Sequence, residues 1–229
     1  MCNSEATSRE HIPPRAIFPK AIDLNGGANP LKNLITVPSC DEHNTKKSED
    51  DEYLVYAIVC HYQNNPIALQ PLIKKMSRAS QLKSKSIMDL LDEPTIVLLD
   101  GKETGSVRMD RARIYKCLEQ MGRGLYFHEF GKKWLHEIAV VSPSFRFVSE
   151  RNARIGNLLL AQMQETTARY FDRFNFLGEN PLYFKYQRVQ LFGERGKELI
   201  IRMVFYEGME VYALSREHWE PDELQSLRQ

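Results

Sequence analysis

Cys2-Asn3-Ser4-Glu5-Ala6-Thr7-Ser8-Arg9-Glu10-His11-Ile12-Pro13-Pro14 and, after a loop, Asn33-Leu34-Ile35-Thr36-Val37-Pro38-Ser39-Cys40-Asp41-Glu42-His43-Asn44-Thr45-Lys46-Lys47 decide how this chain is read. Each polar group in these stretches has a use. The Glu10 carboxylate can hold a hard divalent cation through oxygen. The His11 imidazole titrates near neutrality and can take a proton from water. Asn44 follows Cys40 and His43 on what reads as the opening of a helix, where its amide oxygen can serve as a second oxygen ligand. Asn33 stands where the loop enters the Leu34 to Val37 strand and can hydrogen-bond across to the His11 turn. Taken singly, each has a plain structural reading: a surface dipeptide, a helix residue chosen for local hydrogen bonding, a turn residue.

Taken together, in this order and spacing, they resemble the H-N-H endonucleases, also called His-metal finger nucleases. In that family an acid-His pair ends the first strand before a Pro-containing turn, here Glu10-His11-Ile12-Pro13-Pro14. An Asn-Leu precedes the second strand, here Asn33-Leu34. A Cys-x-x-Cys-His or Cys-x-x-Cys-Asn element with a nearby Lys opens the helix, here Cys40-Asp41-Glu42-His43-Asn44 with Lys46 and Lys47. The resemblance covers Cys2 to Asp51 and implies a ββα-metal module. It assigns His11 as general base and Asn33 as the residue that steadies it. Glu10 and Asn44 become ligands of Mg²⁺ or Mn²⁺, and Lys46 and Lys47 nucleic-acid contacts. The implied reaction is hydrolysis of a phosphodiester bond in DNA, with RNA as a further candidate substrate. The alternative is a zinc-finger-like nucleic-acid-binding module without catalysis.

The pattern departs from the family at its structural zinc. Cys40 and His43 supply sulfur and nitrogen suited to Zn²⁺. Cys2 matches only the second cysteine of the first pair, whose partner would precede Met1. Two expectations stay open. The chain starts late and lacks an upstream cysteine, or the zinc site has degenerated and the module rests on the rest of the chain; Cys2, Cys40 and His43 could hold zinc with a fourth ligand from elsewhere. The first fifty residues are rich in Pro, Asn, Gly and Ser. Their apolar runs are short, Ala16-Ile17-Phe18 and Leu34 to Val37, so the segment needs such a hold from somewhere.

Working outward, the fold class expected is α+β: a small ββα-metal module at 1–51, then a mixed helical and antiparallel-strand body at 52–229, helical over 52–92 and mixed over 93–229. Helices are expected over Tyr53 to Gln63 behind the acidic run Glu49-Asp50-Asp51-Glu52, over Ile67 to Leu91, over Arg111 to Met121 ending near Gly122 and Gly124, and over Ser149 to Asp172 with Ser149 as cap. Strands are expected at Thr95 to Leu99 before an Asp100-Gly101 turn, at Ile138 to Val141, and at Leu182 to Leu191, Leu199 to Tyr206 and Met209 to Leu214. Glu207-Gly208 turns the last pair into a hairpin.

Net charge is +1, so contact with a polyanion requires a local basic patch rather than a global field. Lys74, Lys75, Arg78, Lys83 and Lys85 form one candidate in a stretch without acids. A solvated helix face is the blander reading of that run. Arg123 with Leu125, Tyr126 and Phe127 could stack on a single strand, though these side chains read better as core. His61, His128, His136 and His218 have no partner at metal or triad spacing and read as structural. Four cysteines do not make a disulfide scaffold at this length, and no stretch reaches the ~18 apolar residues of a membrane span. The expected setting is cytoplasmic, without membrane contact.

Overall fold

The computed structural model describes residues 5–19, 29–40, 48–70, 73, 92–99, 101–146, 153–193 and 196–218. It is an α+β fold with, among the described residues, three α-helices and only antiparallel strand pairing. The elements in chain order are β1 (Ser8–His11), β2 (Thr36–Ser39), α1 (Ser48–Val59), β3 (Asp92–Leu99), β4 (Lys102–Arg108), α2 (Arg111–Phe130), β5 (Ala139–Val141), α3 (Ala153–Phe171), β6 (Leu177–Asn180), β7 (Phe184–Gly193), β8 (Gly196–Phe205) and β9 (Met209–His218).

The centre is a five-stranded sheet of order β5-β9-β8-β7-β6. The run Leu199-Ile200-Ile201-Arg202-Met203-Val204-Phe205 is apolar at nearly every position, the pattern of a strand covered on both faces. Leu199, Ile201, Met203 and Phe205 join the buried cluster of Leu54 and Ile58 from α1 and Ile114, Leu118, Met121 and Leu125 from α2. On the other face, Val189 and Tyr212 pack against Phe171 at the end of α3. Arg202 is the polar exception, 7% exposed. It is tolerated because its guanidinium donates to Glu210 at 2.6 Å and Gln187 at 3.0 Å, and a buried charge must be paired.

Helix α2 corrects one expectation. It runs through Gly122 and Gly124 to Phe130, and it is Gly131, left-handed at φ 65°, that closes it by donating its N–H to the Phe127 carbonyl at 2.8 Å. The two earlier glycines are packing positions. A Cβ on Gly122 would lie 2.9 Å from the Ala213 Cβ of β9, and one on Gly124 would lie 1.7 Å from the Ile12 Cδ1. Asp110 caps the other end, accepting from the Arg113 N–H at 3.0 Å.

Other boundaries moved by a few residues. Helix α1 starts at Ser48, with Glu49, Asp50 and Asp51 in its first turn, and ends at Val59. It crosses the position at which the sequence suggests a module boundary. The turn between β8 and β9 begins one residue early. Tyr206 and Glu207 adopt φ 47° and 61°, the conformation a tight hairpin demands, and Tyr206 is fully buried. Strand β4, which pairs with β3 to form a separate two-stranded ribbon, and strand β6 were not anticipated. The expected cap Ser149 and the turn residue Asp100 lie outside the described residues. So does most of the helix expected over Ile67 to Leu91, of which a 3-10 turn at Pro66–Ala68 is described.

The N-terminal segment shares the central core. Ile12, Ile17, Phe18 and Val37 are 3%, 0%, 5% and 5% exposed within the same cluster as α1, α2 and the sheet. Burial of such side chains contributes roughly 1.5–3 kcal/mol each, as an upper estimate. Together they rival the ~10 kcal/mol a structural zinc can supply. The segment therefore has an apolar hold on the rest of the chain.

Candidate functional site

Strands β1 and β2 form a short antiparallel hairpin with Ser8 opposite Ser39, Arg9 opposite Pro38, Glu10 opposite Val37 and His11 opposite Thr36. Side chains alternate along a strand, and directly opposed residues share a face. Glu10 thus shares its face with Val37, which is buried beside Gly124 of α2. His11 shares the other face with Thr36 and Arg9. Arg9 reports this directly: its Nε and Nη2 donate to the Thr36 Oγ1 at 3.0 and 2.8 Å. Glu10 and His11 therefore project to opposite sides of β1.

His11 is the last residue of β1, and the turn beyond it is fixed from several directions. The Ile12 N–H donates to the Ile35 carbonyl at 2.9 Å, and the Ile12–Pro13 peptide is cis. The Ile12 side chain fills the space left by Gly124. A 3-10 turn, Arg15–Ile17, follows and packs on α1. The Tyr206 hydroxyl donates to the Ile17 carbonyl, so the central sheet holds this turn from 189 positions away in sequence.

The His11 ring is half-buried. Burial holds its pKa below the usual histidine range, the Arg15 guanidinium lowers it further, and Glu10 partly opposes both. The imidazole is thereby biased towards its neutral form, the form that accepts a proton. Glu10 is half-buried too. Its carboxylate has the oxygen chemistry of a hard-cation ligand.

Asn33 adopts φ 57°, a left-handed conformation Asn tolerates better than most residues. It lines a narrow crevice with Ile12, Pro13, Leu34 and Ile35. The bond that ties this loop to the His11 turn is the backbone one from Ile12 to Ile35. Among the described residues, the Asn33 side chain makes no hydrogen bond.

Cys40, just after β2, is buried. Cys2, His43, Asn44, Lys46 and Lys47 lie outside the described residues, as do Lys74, Lys75, Arg78, Lys83 and Lys85. Among the described residues, no three His, Cys, Asp or Glu side chains gather as metal ligands. The structure thus brings Glu10, His11, Asn33 and Cys40 to one hairpin and the loop that joins its strands.

The other candidates fall into the core. Leu125 is fully buried, Tyr126 packs on Phe130 and Trp134 at ring distances of 4.8 and 5.0 Å, and Arg123 is engaged by Glu119 and the Trp134 carbonyl. Asp50 of the acidic run pairs with Arg113 at 2.5 Å. His61 is largely buried, and burial drives its pKa down to about 4. The sequence reading did not single out Arg9, Arg15 and Thr36. A sequence signal exists for Arg9 alone, which is two residues from His11 on one strand and hence on its face.

No helix among the described residues is long and apolar enough to cross a membrane. No family model, curated protein or solved structure matches this chain.

Proposed function

We propose that this protein is a metal-dependent endonuclease of the H-N-H type that hydrolyses phosphodiester bonds in DNA. The observation that carries the reading is His11. It ends the first strand of a β-hairpin, is anchored on both sides by backbone and core contacts, and is held towards its neutral form with Glu10 as its neighbour. The order of strand, loop, strand and helix around it supports the same reading.

In the proposed reaction His11 takes a proton from water, and the resulting hydroxide attacks phosphorus in line with the leaving oxygen. Glu10, with Asn44, would hold Mg²⁺ or Mn²⁺. The half-buried Glu10 carboxylate fits a hard cation by its chemistry. When bound, such a cation neutralises charge developing on the phosphate and leaving group. Cys2, Cys40 and His43 are proposed as ligands of a separate Zn²⁺, since thiolate and imidazole suit zinc better than magnesium.

One observation favours a second reading, a nucleic-acid-binding module without catalysis: Glu10 and His11 leave β1 on opposite faces. Two assays on the full chain separate the readings. The nuclease nicks supercoiled plasmid with Mg²⁺ or Mn²⁺ and is silenced by EDTA. The binding module retards DNA in a gel equally with and without EDTA and nicks nothing under either condition.

A further inference from the structure

We infer that the outer face of the β1–β2 hairpin is a docking site for a phosphodiester anion, bound by the Arg9 guanidinium on the face of the hairpin that carries the His11 ring, with Arg15 of the following turn as a second cation. This deepens the nuclease reading and rests on it for the nature of the ligand. The geometry is carried by the strand pairing. Thr36 lies directly opposite His11, so their side chains leave the hairpin about 5 Å apart on one face. The Arg9 guanidinium is clamped to Thr36 through Nε and Nη2, with a further contact from Nη2 to the Thr36 carbonyl at 3.5 Å. Arg9 itself is exposed. A guanidinium carries five N–H donors. Those on the Arg9 Nη1 meet no acceptor among the described residues, and Thr36 fixes the plane in which they point.

Arg15 supplies a second cation on the turn that follows His11. It is exposed on the 3-10 turn that follows the Ile12–Pro13 peptide. Its side chain forms no hydrogen bond or ion pair among the described residues. Its base is held firmly, because Ile17 is fully buried and accepts the Tyr206 hydroxyl. A guanidinium fixed on the hairpin face, a second on the rigid turn that follows, and the His11 imidazole suit the non-bridging oxygens of phosphate, which Arg recognises through paired donors.

The site is tested on the full chain in EDTA, by titrating the wild type and variants with a dinucleoside monophosphate or with inorganic phosphate. Binding is read by calorimetry and from the Arg9 side-chain Nε–H resonance. Saturable binding of the phosphodiester is expected. Arg9→Gln and Arg15→Gln should each weaken it about ten-fold, as loss of a charge-assisted contact does. Arg15→Lys should fall between. Thr36→Val should weaken it by freeing Arg9, while circular dichroism stays unchanged. Lys32→Gln, at an exposed cation of the same segment, should change it by less than two-fold. No saturable binding, unaltered binding in both Gln variants, or an equal loss in Lys32→Gln would overturn the inference. Inorganic phosphate binding tighter than the diester would overturn its nucleic-acid source. The nuclease reading fails separately: a chain that binds the diester through Arg9 and Arg15 but nicks no DNA with Mg²⁺ or Mn²⁺ keeps the site and loses the reaction.

Discussion

Replacing Gly124 by Ala should disable the candidate site far more than it destabilises the protein. The added Cβ would stand 1.7 Å from the Ile12 Cδ1, 3.2 Å from the Ile12 Cγ1 and 3.8 Å from the Val37 Cγ2. Ile12 is 3% exposed and Val37 5%, so neither has open space to retreat into. Overpacking of this kind costs about 1–3 kcal/mol. Ala in a helix interior returns up to ~1 kcal/mol relative to Gly. The net cost is roughly 0–2 kcal/mol, or a fall in Tm of a few degrees for a chain this long. Ile12 is bonded to His11, so relief of the clash shifts the end of β1. A misplacement of ~1 Å at a reacting group can cost on the order of 10²-fold in rate. The assay pairs thermal unfolding with plasmid nicking for Gly124→Ala, Ile12→Val and the double variant. Ile12→Val removes the clashing methyl, so the double variant should recover part of the activity and stability lost, a favourable coupling between the two sites. Gly122→Ala meets the Ala213 Cβ at 2.9 Å, away from the hairpin, and should lose stability with little specific loss of activity. Equal behaviour of the two Gly variants, or additive effects of Gly124→Ala and Ile12→Val, would refute the argument that α2 sets the position of His11.

Two further predictions follow from single residues. His61 has its pKa depressed to about 4 in the folded protein, against 6.5 when exposed. The unfolded chain therefore binds the extra proton first, so this contribution is intact above pH 6.5 and is lost as pH falls towards 4, up to roughly 3 kcal/mol; a His61→Leu variant whose Tm falls as steeply with acid as the wild type would contradict it. Asn33→Gly should preserve stability and nicking, because Gly adopts φ 57° freely, whereas Asn33→Val should cost about 1–2 kcal/mol; loss of nicking in a stable Asn33→Gly variant would instead assign the Asn33 amide a direct part in catalysis.

The hairpin that presents His11 was legible because its chemistry is local. An acid-His pair before Pro13, and an apolar run after Asn33, are visible without tertiary contacts. The limits of that run were less so. The second strand is Thr36–Ser39 rather than Leu34 to Val37, because pairing with β1 sets the register and the sequence alone does not show the partner. The same gap explains α2. Gly122 and Gly124 read as stop signals because Gly is a poor helix former, yet tertiary packing of Ala213 and Ile12 reverses that preference. Strand β4 escaped notice because Lys102-Glu103-Thr104-Gly105-Ser106-Val107-Arg108 has one large apolar residue and no core-facing alternation. The attachment of the N-terminal segment was half visible. Its few apolar residues are what hold it, but their destination in the core of a distant sheet is a long-range fact.

The central claim is that His11 is the base of a phosphodiester hydrolysis, and its most direct test is the single-turnover rate of plasmid nicking at saturating Mg²⁺ by wild-type chain and His11→Ala, matched by circular dichroism and Tm. The account predicts EDTA-sensitive nicking by the wild type and a loss of ~10²- to 10⁴-fold in the variant. Wild-type-like nicking by a folded His11→Ala protein, or no nicking by the wild type with either Mg²⁺ or Mn²⁺, would contradict it.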